Sequence, residues 1–176
     1  MTASYDKTKS QARSTETQNV VDVFNNLDTD AKLALLYLVY KKMGKSVTPA
    51  APAATEPELA PFLLGNFYEM SDQQQLEIMR QIVNCADTEY SHDYGALKEN
   101  NQLMVWYAWA QAMGDTVVGM PDNYQASEPI NQVLSQIEAL DFEEQISVLR
   151  TIAGEMGYTN IKPIETQAQT GKTSSF

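Results

Sequence analysis

Cysteine and histidine are almost absent from this chain of 176 residues, which contains one of each. The single cysteine, Cys85, excludes an internal disulfide and fits a reducing compartment. The single histidine, His92, has no metal-ligand spacing around it, so the sequence offers neither a zinc site nor a Cys–His couple. Glycine-rich phosphate loops and the GxSxG and HExxH motifs are also missing. These absences argue against an ordinary enzyme.

Basic residues are scarce, with 12 Lys and Arg against 23 Asp and Glu, for a net charge of −11. Between Gln18 and Gly157 we count 7 basic and 20 acidic residues, which is −13, so the two ends carry a small positive excess. Such an acidic body repels phosphate backbones and anionic lipid surfaces. Nucleic acid is therefore not expected as a partner.

Long hydrophobic runs are missing too, since none approaches the roughly 18 residues of a membrane span. We therefore expect no integral membrane segment. The first residues lack the apolar middle of a signal peptide, which predicts a cytoplasmic location. Residues 1–17 and 159–176 are polar and are interpreted as a flexible arm and a tail around a helical domain at 18–158.

The most apolar stretch is QLMVWYAWAQAM at 102–113, which contains both tryptophans, Trp106 and Trp109. One helical face would carry Leu103, Trp106, Tyr107, Ala110 and Met113, which recur at spacings of three and four. The opposite face is scarcely more polar, so this helix must be surrounded by other protein or by a ligand. The stretch LALLYLVY at 33–40 has the same character.

Helical periodicity recurs through the body and no alternating strand pattern competes with it, so the sequence predicts an all-α fold. A Pro/Ala-rich connection at 46–58 interrupts it. The candidate helix starts are Asp28 or Asp30, Ser71 with Gln74, Asn100 or Asn101, Ser127, and Asp141 with Glu144. Helix ends are expected at Gly44, Gly114 and Gly157.

Aromatic rings and thioethers are plentiful, with nine Tyr, two Trp and eight Met. Two interpretations fit them. The first is an ordinary core, which periodicity alone favours. The second is a cavity between helices that holds a long apolar ligand.

Five motifs in order resemble the N-terminal domain of the orange carotenoid protein family: LALLYLVYKKMGK at 33–45, AAP at 50–52, LMVWYAW at 103–109, MPDNY at 120–124 and ISVLR…MG at 146–157. The similarity runs from about Val20 to Tyr158, so the chain looks like a free-standing helical carotenoid protein. The resemblance implies two interleaved four-helix bundles enclosing a carotenoid tunnel. It also implies one non-covalently bound ketocarotenoid, namely canthaxanthin, echinenone or 3'-hydroxyechinenone, and a photoprotective role in cyanobacteria.

The resemblance also implies the residues that line the tunnel. The matched positions are Leu33, Leu36, Tyr37, Tyr40, Met79, Leu103, Trp106, Tyr107, Ala110, Met113, Met120, Tyr124 and Ile146. Tyr40 and Trp106 would contact the pigment rings, and Tyr37 stands where the family usually has Trp. Trp109 would remain ordinary core. Arg80 stands where the family usually has a small neutral residue.

Arg150 and Asn100 match positions through which family members contact partners. The implied partners are the phycobilisome core or a separate homologue of the C-terminal domain, with a possible phycobilisome or thylakoid association. Singlet-oxygen quenching, quenching of phycobilisome excitation and pigment carriage remain open as roles. The alternative is a ligand-free helical protein-interaction module of the light-harvesting antenna.

Overall fold

A computed structural model describes residues 15–44 and 62–159 of the chain. Its α-helices are α1 at 15–25, α2 at Thr29–Met43, α3 at Asp72–Val83, α4 at Glu89–Gly95, α5 at Glu99–Ala112, α6 at Glu128–Glu138 and α7 at Phe142–Gly154, with a 3₁₀ helix at Asn66–Glu69. Over these described residues there is no strand, only an isolated bridge between Met113 and Val117. The predicted all-α class is confirmed. Residues 15–17, which composition assigned to the arm, are already helical, whereas the AAP motif and most of the tail lie outside the described residues.

Several predicted helix starts are confirmed because their signals are local. Asp28, rather than Asp30, begins α2, and its carboxylate accepts the Ala31 N–H at 2.8 Å. Ser71 and Gln74 form both halves of a capping box at the start of α3. The Asp141 carboxylate accepts the Glu144 N–H at 2.9 Å and begins α7. Each contact satisfies a first-turn N–H that has no partner within its own helix.

The predicted start of α5 is wrong. The helix begins at Glu99, with Lys98 in the N-cap position and no side-chain capping bond, so Asn100 and Asn101 already lie inside the first turn. A tertiary contact holds this end instead, because the buried Gln102 side chain donates to the Tyr94 carbonyl at 3.1 Å. Ser127 occupies the N-cap of α6 as predicted, but without a side-chain capping bond.

Two of the predicted terminating glycines adopt the left-handed backbone that glycine favours. Gly114, with φ of 87°, follows the C-cap Met113 of α5. Helix α7 ends at Gly154, earlier than predicted, and Gly157 makes the turn after it with φ of 78°. A Cβ at Gly157 would lie 2.5 Å from Cδ1 of Tyr94, so the chain needs glycine there for close packing. Gly44 is instead a right-handed C-cap with φ of −60°.

Helices α2 and α5 lie at the centre of the packing. Helix α2 contacts α3, α5 and α6, while α5 contacts α7 as well as α2. Two groups of helices therefore meet along α2 and α5, which are the two sequence stretches that are apolar on more than one face. The fully buried side chains beside them include Leu35, Ile82, Val105 and Ile137. This contact between α2 and α5 is called the central seam below.

Neither a membrane-spanning helix nor a metal-ligand cluster occurs in the part of the chain that the structure describes. No helix within 15–44 and 62–159 combines the length and the apolar character needed to cross a bilayer. Across the same ranges, no three His, Cys, Asp or Glu side chains gather as a metal site.

Candidate ligand-binding site

Two small, partly open cavities lie along the central seam. The first, of about 40 Å³, is lined by Leu36, Val39, Tyr40, Met43, Gly44, Leu103, Trp106, Tyr107 and Leu149. The second, of about 30 Å³, is lined by Leu33, Leu36, Tyr37, Met79, Trp106, Trp109, Ala110 and Met113. Aliphatic, aromatic and thioether side chains dominate both linings. Leu36 and Trp106 belong to both linings, so the two cavities share a wall at these side chains.

Ten of the thirteen predicted tunnel residues line these cavities, and three do not. Met120 is half-buried against the core. Tyr124 has 39% of its surface exposed, and Ile146 is buried among core residues. The structure therefore gathers the predicted residues of α2, α3 and α5 and leaves those of the later segments outside the two cavities.

Five lining residues were not predicted. Val39 and Met43 follow Leu36 and Tyr40 at helical spacing, so the periodicity of α2 could have indicated them. Gly44 ends the same face. Leu149 comes from α7, and no local pattern connects it to α2. Trp109 was expected to be core alone; it is a core residue with 1% exposure, and it also borders the second cavity.

Trp106 is fixed by a chain of buried hydrogen bonds. Its indole N–H donates to the Tyr94 hydroxyl at 2.8 Å, and this hydroxyl donates to the Ala153 carbonyl at 2.6 Å. Burial raises the pKa of the fully buried Tyr94 phenol above its usual value, so this group remains a neutral donor. The chain joins α4, α5 and α7, and it sets the orientation of the ring that borders both cavities.

Trp109 is fixed by different neighbours. Its indole N–H donates to the Leu63 carbonyl at 2.9 Å, and its ring stacks on Phe67 at 4.2 Å with 16° between the planes. The Trp106 and Trp109 rings meet edge to face, with centroids 5.2 Å apart. Both indole N–H groups thus have protein partners, and neither requires a polar group from a ligand.

Two tyrosines form another part of the first cavity's wall. The Tyr40 and Tyr107 rings meet edge to face, with centroids 5.3 Å apart and 83° between the planes. This geometry suits the ring quadrupoles. Both rings are only partly buried, and they lie where α2 approaches its end at Gly44. The pair joins α2 to α5 at that end of the seam.

A buried amide holds the segment that follows α5. The Gln75 side chain, which is fully buried on α3, donates to the Phe67 carbonyl at 2.9 Å and to the Thr116 carbonyl at 2.8 Å. Its oxygen accepts the Val118 N–H at 2.8 Å. Three bonds from one side chain therefore tie the 3₁₀ helix and the 116–118 segment to α3, near Phe67 and Trp109.

Charged groups lie around the seam rather than in it. Arg80 donates to the Asp30 carboxylate through two nitrogens, at 2.9 and 3.2 Å, and so links α3 to α2 at the surface. Arg80, which the motif resemblance places where a small neutral residue is usual, thus has an ion-pair partner on α2. Burial, and then the charges of Asp28 and Asp30, raise the pKa of Tyr124. Arg150 and Asn100 are both exposed.

The lining of both cavities suits an apolar molecule better than a polar one. The cavities are lined mainly by carbon and sulfur, and the two nearby indole donors bond to protein groups. Each cavity is far smaller than the roughly 300–1,000 Å³ of typical ligand pockets. A ligand that ran the length of the seam would therefore have to move side chains apart, above all those in the wall that the two cavities share.

Comparison with known proteins gives consistent matches. A family profile described as orange carotenoid protein, N-terminal, matches residues 10–159. An orange carotenoid-binding domain-containing protein of Nostoc sp. is 39% identical over 140 residues, which cover 79% of this chain and 82% of the relative. The orange carotenoid-binding protein of Synechocystis sp. is 36% identical, covering 77% of this chain but only 43% of the relative.

A solved structure shows the same similarity. The structure of the Red Carotenoid Protein of Anabaena (Nostoc) sp. PCC 7120 binding canthaxanthin matches with a TM-score of 0.72 and 31% identity. The match covers 81% of this chain and 99% of that one. The chain thus corresponds to nearly the whole of a compact relative, and to less than half of a longer one.

Proposed function

Because this chain belongs to the orange carotenoid protein N-terminal family, we propose that it binds one ketocarotenoid non-covalently along the central seam and acts in photoprotection. Canthaxanthin, echinenone and 3'-hydroxyechinenone are the candidate pigments. The observation that carries the proposal is the pair of apolar cavities between α2 and α5, lined by ten residues that match the family's tunnel.

The chemistry of the lining suits a polyene. A conjugated hydrocarbon offers almost nothing to hydrogen-bond, so its affinity must come from dispersion and from burial at about 25 cal/mol per Å². Flat rings such as Tyr37, Tyr40 and Trp106 cover a flat chain well, while the thioethers of Met79 and Met113 adapt to its outline. The ring ends, which carry the keto groups, would lie nearer the more exposed ends of the seam.

In photoprotection, the role of the protein is to position the pigment. A bound carotenoid supplies low-lying electronic states that accept excitation from singlet oxygen or from another pigment. The residues of the seam bind it, exclude water and restrict the twist of its end rings, which sets the effective conjugation length. None of these roles needs an acid, a base or a nucleophile, which supports a non-enzymatic function.

Pigment binding is tested by the visible spectrum of the protein purified from a host that makes canthaxanthin. We expect a coloured protein with about one carotenoid per chain. Tyr40→Ala should shift the visible band or lower the pigment yield, because it removes a ring from the first cavity. Tyr90→Phe, at a partly buried position that lines neither cavity, is the control. A correctly folded but colourless protein would overturn the proposal and favour the ligand-free interaction module.

Partner contact is a separate part of the proposal. The exposed Arg150 on α7 is available to a partner and lines neither cavity. We expect Arg150→Glu to leave the pigment spectrum unchanged and to weaken quenching of phycobilisome fluorescence, with Lys41→Glu as a surface-charge control. If the pigmented wild-type protein leaves that fluorescence unchanged, the antenna role is removed and singlet-oxygen quenching or carriage remains.

A further inference from the structure

The wall shared by the two cavities, called the partition below, includes two side chains with different restraints. Leu36 on α2 and Trp106 on α5 each line both cavities. A ligand that fills both cavities must pass between them or displace one of them. The contacts of the two side chains determine which of them is displaced more easily.

Trp106 is held on several sides. Its N–H bonds to Tyr94 at 2.8 Å, its ring meets the Tyr94 ring at 6.2 Å and the Trp109 ring at 5.2 Å, and only 7% of its surface is exposed. Moving the indole would break this buried hydrogen bond and leave the Trp106 N–H without a partner, while the Tyr94 hydroxyl would keep its bond to the Ala153 carbonyl. A donor or acceptor without a partner in a protein interior is costly.

Leu36 has none of these restraints. Its side chain is aliphatic, so no hydrogen bond fixes its rotamer, and it is only partly buried at the edge of the core. A leucine on a helix exchanges between staggered rotamers without breaking a polar contact. The two sides of the partition are therefore unequal, because one is anchored by a network and the other by packing alone.

We propose that Leu36 is the movable gate of the central seam and that Tyr94 is a positioning residue, which holds Trp106 still so that Leu36 yields when a carotenoid enters. This inference rests on the proposed carotenoid-binding function. It assigns the rate of pigment loading to one aliphatic side chain and the placement of the bound pigment to a buried hydroxyl that does not line either cavity.

The gate is tested by the rate of pigment uptake. Protein without pigment is mixed with phosphatidylcholine vesicles that contain canthaxanthin, and the growth of the protein-bound visible band is followed. We expect Leu36→Ala to load roughly threefold to tenfold faster than wild type and Leu36→Phe to load slower by a similar factor, because side-chain size at the gate changes the barrier. Leu38→Ala is the matched control, since Leu38 is also partly buried on α2 but lines neither cavity.

The positioning role is tested with Tyr94→Phe, which keeps the ring and removes the hydroxyl. We expect a broadened or shifted visible band and faster exchange of the Trp106 indole N–H with solvent, measured by NMR. Tyr68→Phe on the 3₁₀ helix is the control and should change neither. In the Tyr94→Phe background the acceleration by Leu36→Ala should shrink, because Trp106 then also moves; such coupling is measurable as non-additivity.

The possible results separate the two proposals. If wild-type protein takes up no canthaxanthin from vesicles and none in a producing host, the proposed function fails. If wild type loads but Leu36→Ala, Leu36→Phe and Leu38→Ala all load at the wild-type rate, the gate is refuted while pigment binding stands. If Leu36→Ala does not fold, Leu36→Phe still decides, since slower loading supports the gate and unchanged loading refutes it.

Discussion

Trp106 and Trp109 lie three residues apart on α5 with their rings in edge-to-face contact, yet their other contacts differ. Trp106 borders both cavities and donates its N–H to a side-chain hydroxyl, that of Tyr94. Trp109 borders one cavity, stacks on Phe67 and donates to a backbone carbonyl. We call these the Trp106 region and the Trp109 region, each comprising the tryptophan and the named contacts.

The difference shows that residue type and helical spacing do not distinguish a tryptophan that borders both cavities from one that borders a single cavity and stacks in the core. Both indoles are nearly buried, and both donors are satisfied, as buried donors must be. The contrast comes from what packs against the ring face. In the Trp109 region the Phe67 ring stacks on the indole, which borders only the second cavity, whereas the Trp106 indole borders both cavities.

The largest expected effect contrasts the two tryptophans directly. Trp109→Ala should lower the free energy of unfolding by about 3–5 kcal/mol, because it removes a stacked ring from a filled core, and Trp106→Ala should cost about 1–2 kcal/mol less, because open space already adjoins that ring. Trp106→Ala should in turn shift the visible band or lower pigment yield more strongly. Urea unfolding without pigment measures the first effect, and absorption of the pigmented protein the second.

An equal loss of stability in the two variants, together with equal spectra, would contradict the distinction between the regions. Trp109→Phe, which retains a ring against Phe67, provides the milder control and should recover much of the lost stability. Because the chain has two tryptophans, each single variant also leaves one fluorescent reporter of its own folding.

The features predicted correctly from sequence are those that depend on neighbours along the chain. The all-α class follows from periodicity, and Asp28, Ser71 and Asp141 begin helices through contacts three residues away. The start of α5 could not be predicted in this way. It depends on Gln102 reaching the Tyr94 carbonyl on another helix, and the nearby asparagines gave a competing local signal.

The site was predictable only in part, for a related reason. The lining residues of α2 and α5 follow from two apolar stretches and from motif resemblance. Leu149, by contrast, joins the first cavity through the contact of α7 with α5. The hydrogen bonds that hold the two tryptophan regions in place join residues far apart in the sequence. The bond from Tyr94 to Ala153 spans 59 residues, and the bond from Gln75 to Thr116 spans 41. Pigment contact stays a prediction for all thirteen residues, and Met120, Tyr124 and Ile146 also lie outside the two cavities.

A smaller effect should come from the amide that supports the Trp109 region. Gln75→Leu keeps the side-chain size but leaves the Phe67 and Thr116 carbonyls and the Val118 N–H without this partner, so we expect a loss of about 2–3 kcal/mol in the free energy of unfolding. Gln73→Leu, at an exposed position of the same helix, should be nearly neutral. Hydrogen exchange of the Val118 amide gives a local readout, and protection as strong in Gln75→Leu as in wild type would contradict this role.

The smallest effect appears in alkaline solution and belongs to the Trp106 region. Burial raises the pKa of Tyr94 in the folded protein above its ordinary value of 10.0. Above that pH the unfolded chain releases the tyrosine proton while the folded protein keeps it, so stability should fall by up to about 1.4 kcal/mol per pH unit. Tyr94→Phe removes this contribution, and its urea-unfolding free energy should decline less steeply than that of wild type between roughly pH 9 and 11. Tyr90→Phe, at a partly exposed position, serves as the control and should behave as wild type. If the unfolding free energy declines equally with pH in all three proteins, the Tyr94 hydroxyl is not buried, and the hydrogen bond that holds Trp106 is open to water.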